Sequence, residues 1–282
     1  MELYSVKDIK TLLNEHDFKF SKSLGQNFII EPWVCPKMAE SCSDDQNDGI
    51  IEIGPGIGVL TVELAKRFKK VVSVELDSRL IPILKQTTAD FDNVKIINDD
   101  ILKVNLKEIL QTEFKDCKHV HICANLPYYI TSEIIMYILE SNLDIGSLTV
   151  MVQKEAAERI CAEPGSRESG AISLAVRFYG VPKILFDVSR GCFMPQPNVD
   201  SSVIKIDIDS NISSDVQNKT MFFKVVKAAF GKRRKNLLNS LSMGLGLPKT
   251  QIDEVLTKCG LSSSLRAEQL TLEDFKKISN CF

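Results

Sequence analysis

Gly49-Ile50-Ile51-Glu52-Ile53-Gly54-Pro55-Gly56-Ile57-Gly58 is an apolar pentapeptide of strand length running into three alternating glycines. Leu60 to Phe68 then carries apolar residues at helical spacing. Strand, glycine turn and helix in that order open a βαβ unit. Lys70 to Leu76 reads as a second strand closed by Glu75, and Asn93 to Asn98 as a third followed by Asp99-Asp100. Val120 to Ala124 is a fourth, ending at Asn125-Leu126-Pro127-Tyr128, and Leu148 to Gln153 a fifth. Helices are expected over Lys154 to Ala162 and Ala171 to Phe178, and two last strands over Lys183 to Val188 and Ser201 to Ile208. Only about a dozen residues, Pro195 and Pro197 among them, join those two strands, so they are expected to pair antiparallel without a crossover helix. The fold class is therefore α/β, a doubly wound Rossmann-like sheet followed by a smaller all-α C-terminal domain.

Ahead of the sheet, Val6, Ile9, Leu12 and Leu13 mark an amphipathic helix through about Asp17. A polar loop, Phe20 to Ile29, follows, able to close over a ligand or simply to connect helices. Beyond the sheet, Asp209 to Asn218 is rich in Ser, Asn and Asp and reads as a linker. Helices are then expected over Thr220 to Gly231, Lys235 to Met243, Pro248 to Cys259 and Thr271 to Ser279. The expected domains are residues 1–208, a linker at 209–218, and a helical domain at 219–282.

The 282 residues are 44% hydrophobic and 26% charged, the composition of a globular protein. No apolar run is long enough to span a membrane, and the amino terminus lacks a secretion signal. No Cys-x-x-Cys pair occurs among the eight cysteines, so reduced thiols in the cytoplasm and no metal site are expected. Alternation and burial account for His119 and His121 beside Cys117 and Cys123 better than zinc does. The net charge of −2 hides an asymmetry: Val216 to Phe282 holds 12 Lys and Arg against 5 Asp and Glu, leaving 23 against 32 in the rest. A basic segment of about +7 beside a remainder of about −9 points to polyanion binding by the former.

An acid closing the second strand accepts from ribose hydroxyls in nicotinamide, flavin and S-adenosylmethionine binders alike, so Glu75 does not choose among them. The turn does. A dinucleotide fingerprint needs a third glycine where Val59 stands, whereas Gly54, Gly56 and Gly58 suit a cofactor without phosphates. Asp100 can accept from an adenine amine and Ile101 can offer it an apolar face, although alone Asp99-Asp100 is a helix cap. Asn125 offers an amide oxygen, Pro127 leaves nearby carbonyls free, and Tyr128 supplies a flat face. Taken alone those four residues read equally as an ordinary turn or as a site; in series with the three preceding strand ends they form a site.

The chain resembles the ribosomal RNA adenine N6,N6-dimethyltransferases over nearly its whole length. The resemblance rests on Leu24-Gly25-Gln26-Asn27-Phe28, Glu52 to Gly56, Val74 to Asp77, Asn125 to Tyr128, Gln153-Lys154-Glu155, Phe193 to Ser201, and Lys232-Arg233-Arg234-Lys235. It implies S-adenosylmethionine held by Asn27, Ile29, Gly54, Gly56, Glu75, Asp100, Ile101 and Asn125. It implies catalysis by Asn125, Leu126, Pro127 and Tyr128, with Phe193 and Tyr128 sandwiching the target base; a core role for Phe193 is the alternative. Lys232, Arg233, Arg234 and Lys235 are expected to touch RNA phosphates. The activity implied is dimethylation of two adjacent adenosines near the 3′ end of small-subunit (16S) rRNA, acting as a cytoplasmic monomer on the pre-30S particle. The alternatives are a large-subunit adenine methylase of the antibiotic-resistance type, or a non-catalytic assembly or transcription factor. Two positions depart from the family pattern: Ile29 where Leu is usual, and Ser169 where Tyr is common.

Overall fold

In the computed structural model, which describes residues 2–21, 24–232 and 234–282, helix α1 (Val6–Glu15) comes first. Its N-cap Ser5 accepts from the Asp8 N–H, and Ile9, Leu12 and Leu13 are its buried stripe. Strand β1 (Phe28–Ile29) and helix α2 (Val34–Cys42) precede β2 (Gly49–Ile53), in which every residue is buried. That is what a continuous apolar run requires when helices cover both faces of a parallel sheet. Helix α3 (Val59–Arg67), β3 (Lys70–Glu75), α4 (Ile81–Thr87), β4 (Val94–Asn98) and α5 (Leu106–Glu113) continue the alternation. Then come β5 (Val120–Asn125), α6 (Thr131–Glu140), β6 (Ser147–Gln153), α7 (Lys154–Cys161), α8 (Ala171–Arg177) and β7 (Gly180–Val188). A two-residue strand β8 (Phe193–Met194) precedes β9 (Ser201–Ile208).

The seven-stranded sheet has the order β4-β3-β2-β5-β6-β9-β7. Pairs from β4 through β6 are parallel, and β9 runs antiparallel to β6. From β2 the chain moves outward to β3 and β4, then returns to β5 on the other side. The carboxyl ends of β2 and β5 thus frame the topological switch point where open α/β sheets bind ligands. At the opposite ends of the strands, His121 sits between Ser147 (Nδ1 to Oγ, 2.8 Å) and Asp48 (Nε2 to Oδ2, 3.1 Å). Burial lowers its pKa, and the ring serves as a satisfied core group. All eight cysteines are free. Among the described residues no helix is long and apolar enough to cross a membrane, and no cluster of His, Cys, Asp or Glu could hold a metal ion.

Two compact units divide the chain: residues up to Ala157 with Lys183–Ile208, and Glu158–Pro182 with Asp209–Phe282. This differs from the expected boundary at residue 208, because α8 belongs to the second unit. Leu174 and Phe178 pack into the apolar cluster of Phe222, Val225 and Phe275, with the Phe178 and Phe222 rings 4.7 Å apart. Residues 209–218 are also more than a linker. The Asp209 N–H donates to the Tyr179 carbonyl, and Asn280 bonds both Asp215 O and Gln217 N.

Helices α9 (Lys219–Phe230), α10 (Leu237–Leu245), α11 (Lys249–Lys258) and α12 (Leu272–Asn280) complete that unit. The sequence has the basic run opening α10; in the structure Lys232, Arg234 and Lys235 all precede that helix. Asn236 is the cap that starts the helix, accepting from the Asn239 N–H, and Lys235 N–H closes the turn on Lys232 O.

Candidate active site

Gly54, Gly56 and Gly58 all have positive φ. At Gly56 (φ +61°) the reason is double: left-handed backbone, and a Phe28 ring that a Cβ would meet at 3.1 Å. The turn so formed presents the Gly56 N–H to Glu75 Oε2 (3.1 Å), while the Asp77 N–H donates to Oε1 (2.8 Å). Glu75 is thereby fixed at the end of β3, and burial raises its pKa. Asp100 uses Oδ1 to cap the following turn at the Leu102 N–H (3.0 Å), while Oδ2 stands 3.4 Å from Lys103. Asp100 therefore caps a turn, and Ile101 beside it is buried.

Asn125 closes β5. Its Nδ2 donates to the Asn27 carbonyl (3.1 Å), which fixes the amide orientation and leaves Oδ1 an acceptor with no donor among the described residues. Leu126 donates its N–H to Met151 O (3.1 Å), and no donor among the described residues takes the Leu126 carbonyl. Pro127 O is instead consumed by Thr131 Oγ1 (3.1 Å) and the Ile130 N–H. Tyr128 is held through its hydroxyl to Ser201 Oγ, 2.7 Å away.

Asn27, Ile29, Gly54, Gly56, Glu75, Asp100, Ile101 and Asn125 to Tyr128 all line one cleft. Phe193 does not. It is 2% exposed, pairs with Ile29 across the β1–β8 ladder, and packs into the first unit's core. In this conformation only Tyr128 of the expected sandwich faces the cleft. Lys232, Arg234 and Lys235 are exposed in the second unit; Arg233 lies outside the described residues.

Several cleft residues carry no assigned role in the sequence reading. Leu76 (51% exposed) and Tyr129 (59% exposed) line it, and each directly follows a residue already chosen, which was the available signal. Gln26 ties the amino-terminal loop to β3's end, its Nε2 donating to Asp77 Oδ2 (2.8 Å). Glu52 is 1% exposed; Thr61 and Ser73 both donate to Oε2 at 2.7 Å, and Oε1 has no partner among the described residues. Burial pushes its carboxyl up to about 7. Four carboxylates, Glu52, Glu75, Asp99 and Asp100, line the cleft, and no Lys, Arg or His does among the described residues. That sign of charge repels a pyrophosphate and suits a cationic, phosphate-free ligand.

A family model described as ribosomal RNA adenine dimethylase matches residues 17–282. The chain belongs to that family. It is 45% identical over 277 residues to ribosomal RNA small subunit methyltransferase A of Alkaliphilus oremlandii, covering 98% of this chain and 96% of that protein. The corresponding protein of Clostridioides difficile is 46% identical over 272 residues, covering 96% and 93%. Among solved structures, a dimethyladenosine transferase from Plasmodium falciparum shares the fold of this adenine dimethylase family member with a TM-score of 0.73. Its identity is 24%, covering 89% of this chain and 95% of that one. A 23S rRNA methyltransferase, ErmE, shares the fold with a TM-score of 0.68 at 21% identity, covering 89% and 98%.

Proposed function

We propose that this chain transfers methyl groups from S-adenosylmethionine to the N6 amines of two adjacent adenosines near the 3′ end of small-subunit rRNA, on the pre-30S particle. It is a ribosomal RNA adenine dimethyltransferase of the small-subunit type, and we place it in the cytoplasm as a monomer. The observation that carries the reading is the pair of unused acceptors, Asn125 Oδ1 and Leu126 O, at the end of β5. They stand on the same cleft as four carboxylates.

S-adenosylmethionine fits the residues present. It carries a sulfonium and an ammonium but no phosphate, and the cleft is acidic; the orphaned Glu52 Oε1 is an acceptor without a donor. Above Gly54 the Cβ direction opens on empty space. Asn27, Ile29, Gly54 and Gly56 would hold its methionine end, Glu75 its ribose, and Asp100 with Ile101 its adenine. When bound it supplies an electrophilic methyl group.

An adenine N6 is a poor nucleophile because its lone pair is delocalised into the ring. Asn125 Oδ1 and Leu126 O, accepting its two hydrogens, pyramidalise the nitrogen and aim the lone pair. Tyr128 supports one face of a base taken out of its stack. Pro127 fixes the intervening backbone, with φ −60°. Catalysis is then orientation and electrostatics without a covalent enzyme intermediate, and the proton leaves after the nitrogen has become cationic.

Asn125→Ala tests this. Transfer of labelled methyl to undermethylated small subunits is expected to fall by roughly 10²-fold or more, the scale of losing one preorganised polar contact to a reacting group. Cofactor affinity should change only slightly. Near-normal transfer would remove Asn125 from the mechanism, and no transfer by the unsubstituted chain would point to a non-catalytic factor.

A further inference from the structure

Helices α9 and α10 meet where Gly244 faces Ala228; a Cβ on Gly244 would stand 2.4 Å from that of Ala228. Beside this contact runs a groove lined by Lys224, Lys227, Lys232, Ser240, Met243 and Leu247. The three lysines are exposed, and among the described residues no carboxylate lines the groove. Lys224 and Lys227, three residues apart, share one helix face. Met243 is 60% exposed, a large apolar side chain left in water. Ser240 is 1% exposed, and its hydroxyl has no hydrogen-bond partner among the described residues. A buried hydroxyl in that state is costly unless something completes it.

We propose that this groove takes an unstacked nucleotide of the ribosomal RNA, with phosphates on Lys224, Lys227 and Lys232, and the base against Met243 and Leu247. The inference rests on the functional reading above and names a second RNA subsite, separate from the methyl-accepting cleft and not included in the basic run at 232–235 except through Lys232. A base-paired duplex offers phosphates but hides its base faces, and would leave Met243 and Leu247 uncovered. An unstacked nucleotide offers both phosphates and a flat apolar face, with polar edges for Ser240 Oγ. An acidic amphipathic peptide would match the lysines and the apolar floor, and is distinguished by the test.

The test uses the full chain with undermethylated small subunits. In Lys224→Gln with Lys227→Gln, the KM for particles should rise several-fold while kcat at saturation stays unchanged. The slope of log affinity against log salt should become shallower by about 1.4, two single-strand phosphate contacts' worth. Cofactor affinity and melting temperature should match the parent, showing the fold intact. In a second arm, a photoreactive p-benzoylphenylalanine in place of Met243, with all lysines present, should cross-link to one RNA nucleotide. An unchanged salt slope, or a cross-link to ribosomal protein alone, overturns the groove proposal while methyl transfer by the parent stands. Absence of transfer by the parent overturns the functional reading itself, and the groove with it.

Discussion

Glu52 shows how a single residue can lie in plain view in a motif and still hide its chemistry. Its place before the glycines is legible; that its Oε1 is buried without a donor depends on Thr61 and Ser73 both choosing Oε2. Strand alternation alone does not give such a detail. A carboxyl lifted from 4.5 to about 7 withholds about 3 kcal/mol of stability once ionised. The sign follows from proton counting: between those values the folded chain holds a proton that the unfolded chain has lost. The contribution is therefore full below about 4.5 and is lost as pH rises through about 7. Glu52→Gln should melt in urea like the parent at pH 5 and be more stable than it at pH 8; equal pH slopes for the two would sink this assignment. A cationic cofactor favours the ionised carboxylate, so the parent's cofactor affinity should climb through pH 7 more steeply than the variant's. Asn125 was readable as an acceptor, but its orientation was not, since that comes from the carbonyl of Asn27, a residue far away in sequence.

At the scale of elements, the parallel strands and their order of appearance were legible because buried strands announce themselves as apolar runs bounded by turns. The β1–β8 ladder was not. Each strand has two residues, and their partners, Phe28 with Met194 and Ile29 with Phe193, are too far apart in the chain for any periodicity to link them. The same blindness put α8 in the wrong unit: amphipathic spacing shows that a helix has an apolar face, not which core receives it. The ladder gives Phe193 its observed role, as it packs the loop carrying Asn27 and Ile29 against the core. Phe193→Ala should cost about 3–5 kcal/mol in urea unfolding, the range for emptying a buried aromatic site. It should also weaken cofactor binding by loosening that loop. Undiminished stability would mean that the ring leaves the core in solution, and would return it to the base-sandwich role that the family resemblance implies.

Across the whole molecule, a net charge of −2 conceals two opposite electrostatic characters. The asymmetry was countable in the sequence, and the structure adds that the first unit's cleft is lined by four carboxylates and no basic side chain among the described residues. The exposed Lys232, Arg234 and Lys235 lie in the second unit. The two ligands should therefore answer to salt differently. Particle binding through lysine and arginine releases counterions, so its affinity should fall steeply between 50 and 200 mM salt, by roughly tenfold for every two phosphate contacts. Cofactor binding releases no such atmosphere and should weaken only by screening, within a few-fold over the same range. Arg234→Glu with Lys235→Glu should weaken particle binding and flatten its salt slope while leaving the cofactor curve unmoved. Parallel salt curves for the two ligands in the parent, or an unflattened particle slope in the variant, would show that the basic segment does not hold RNA. The charge asymmetry would then be only a solvated face.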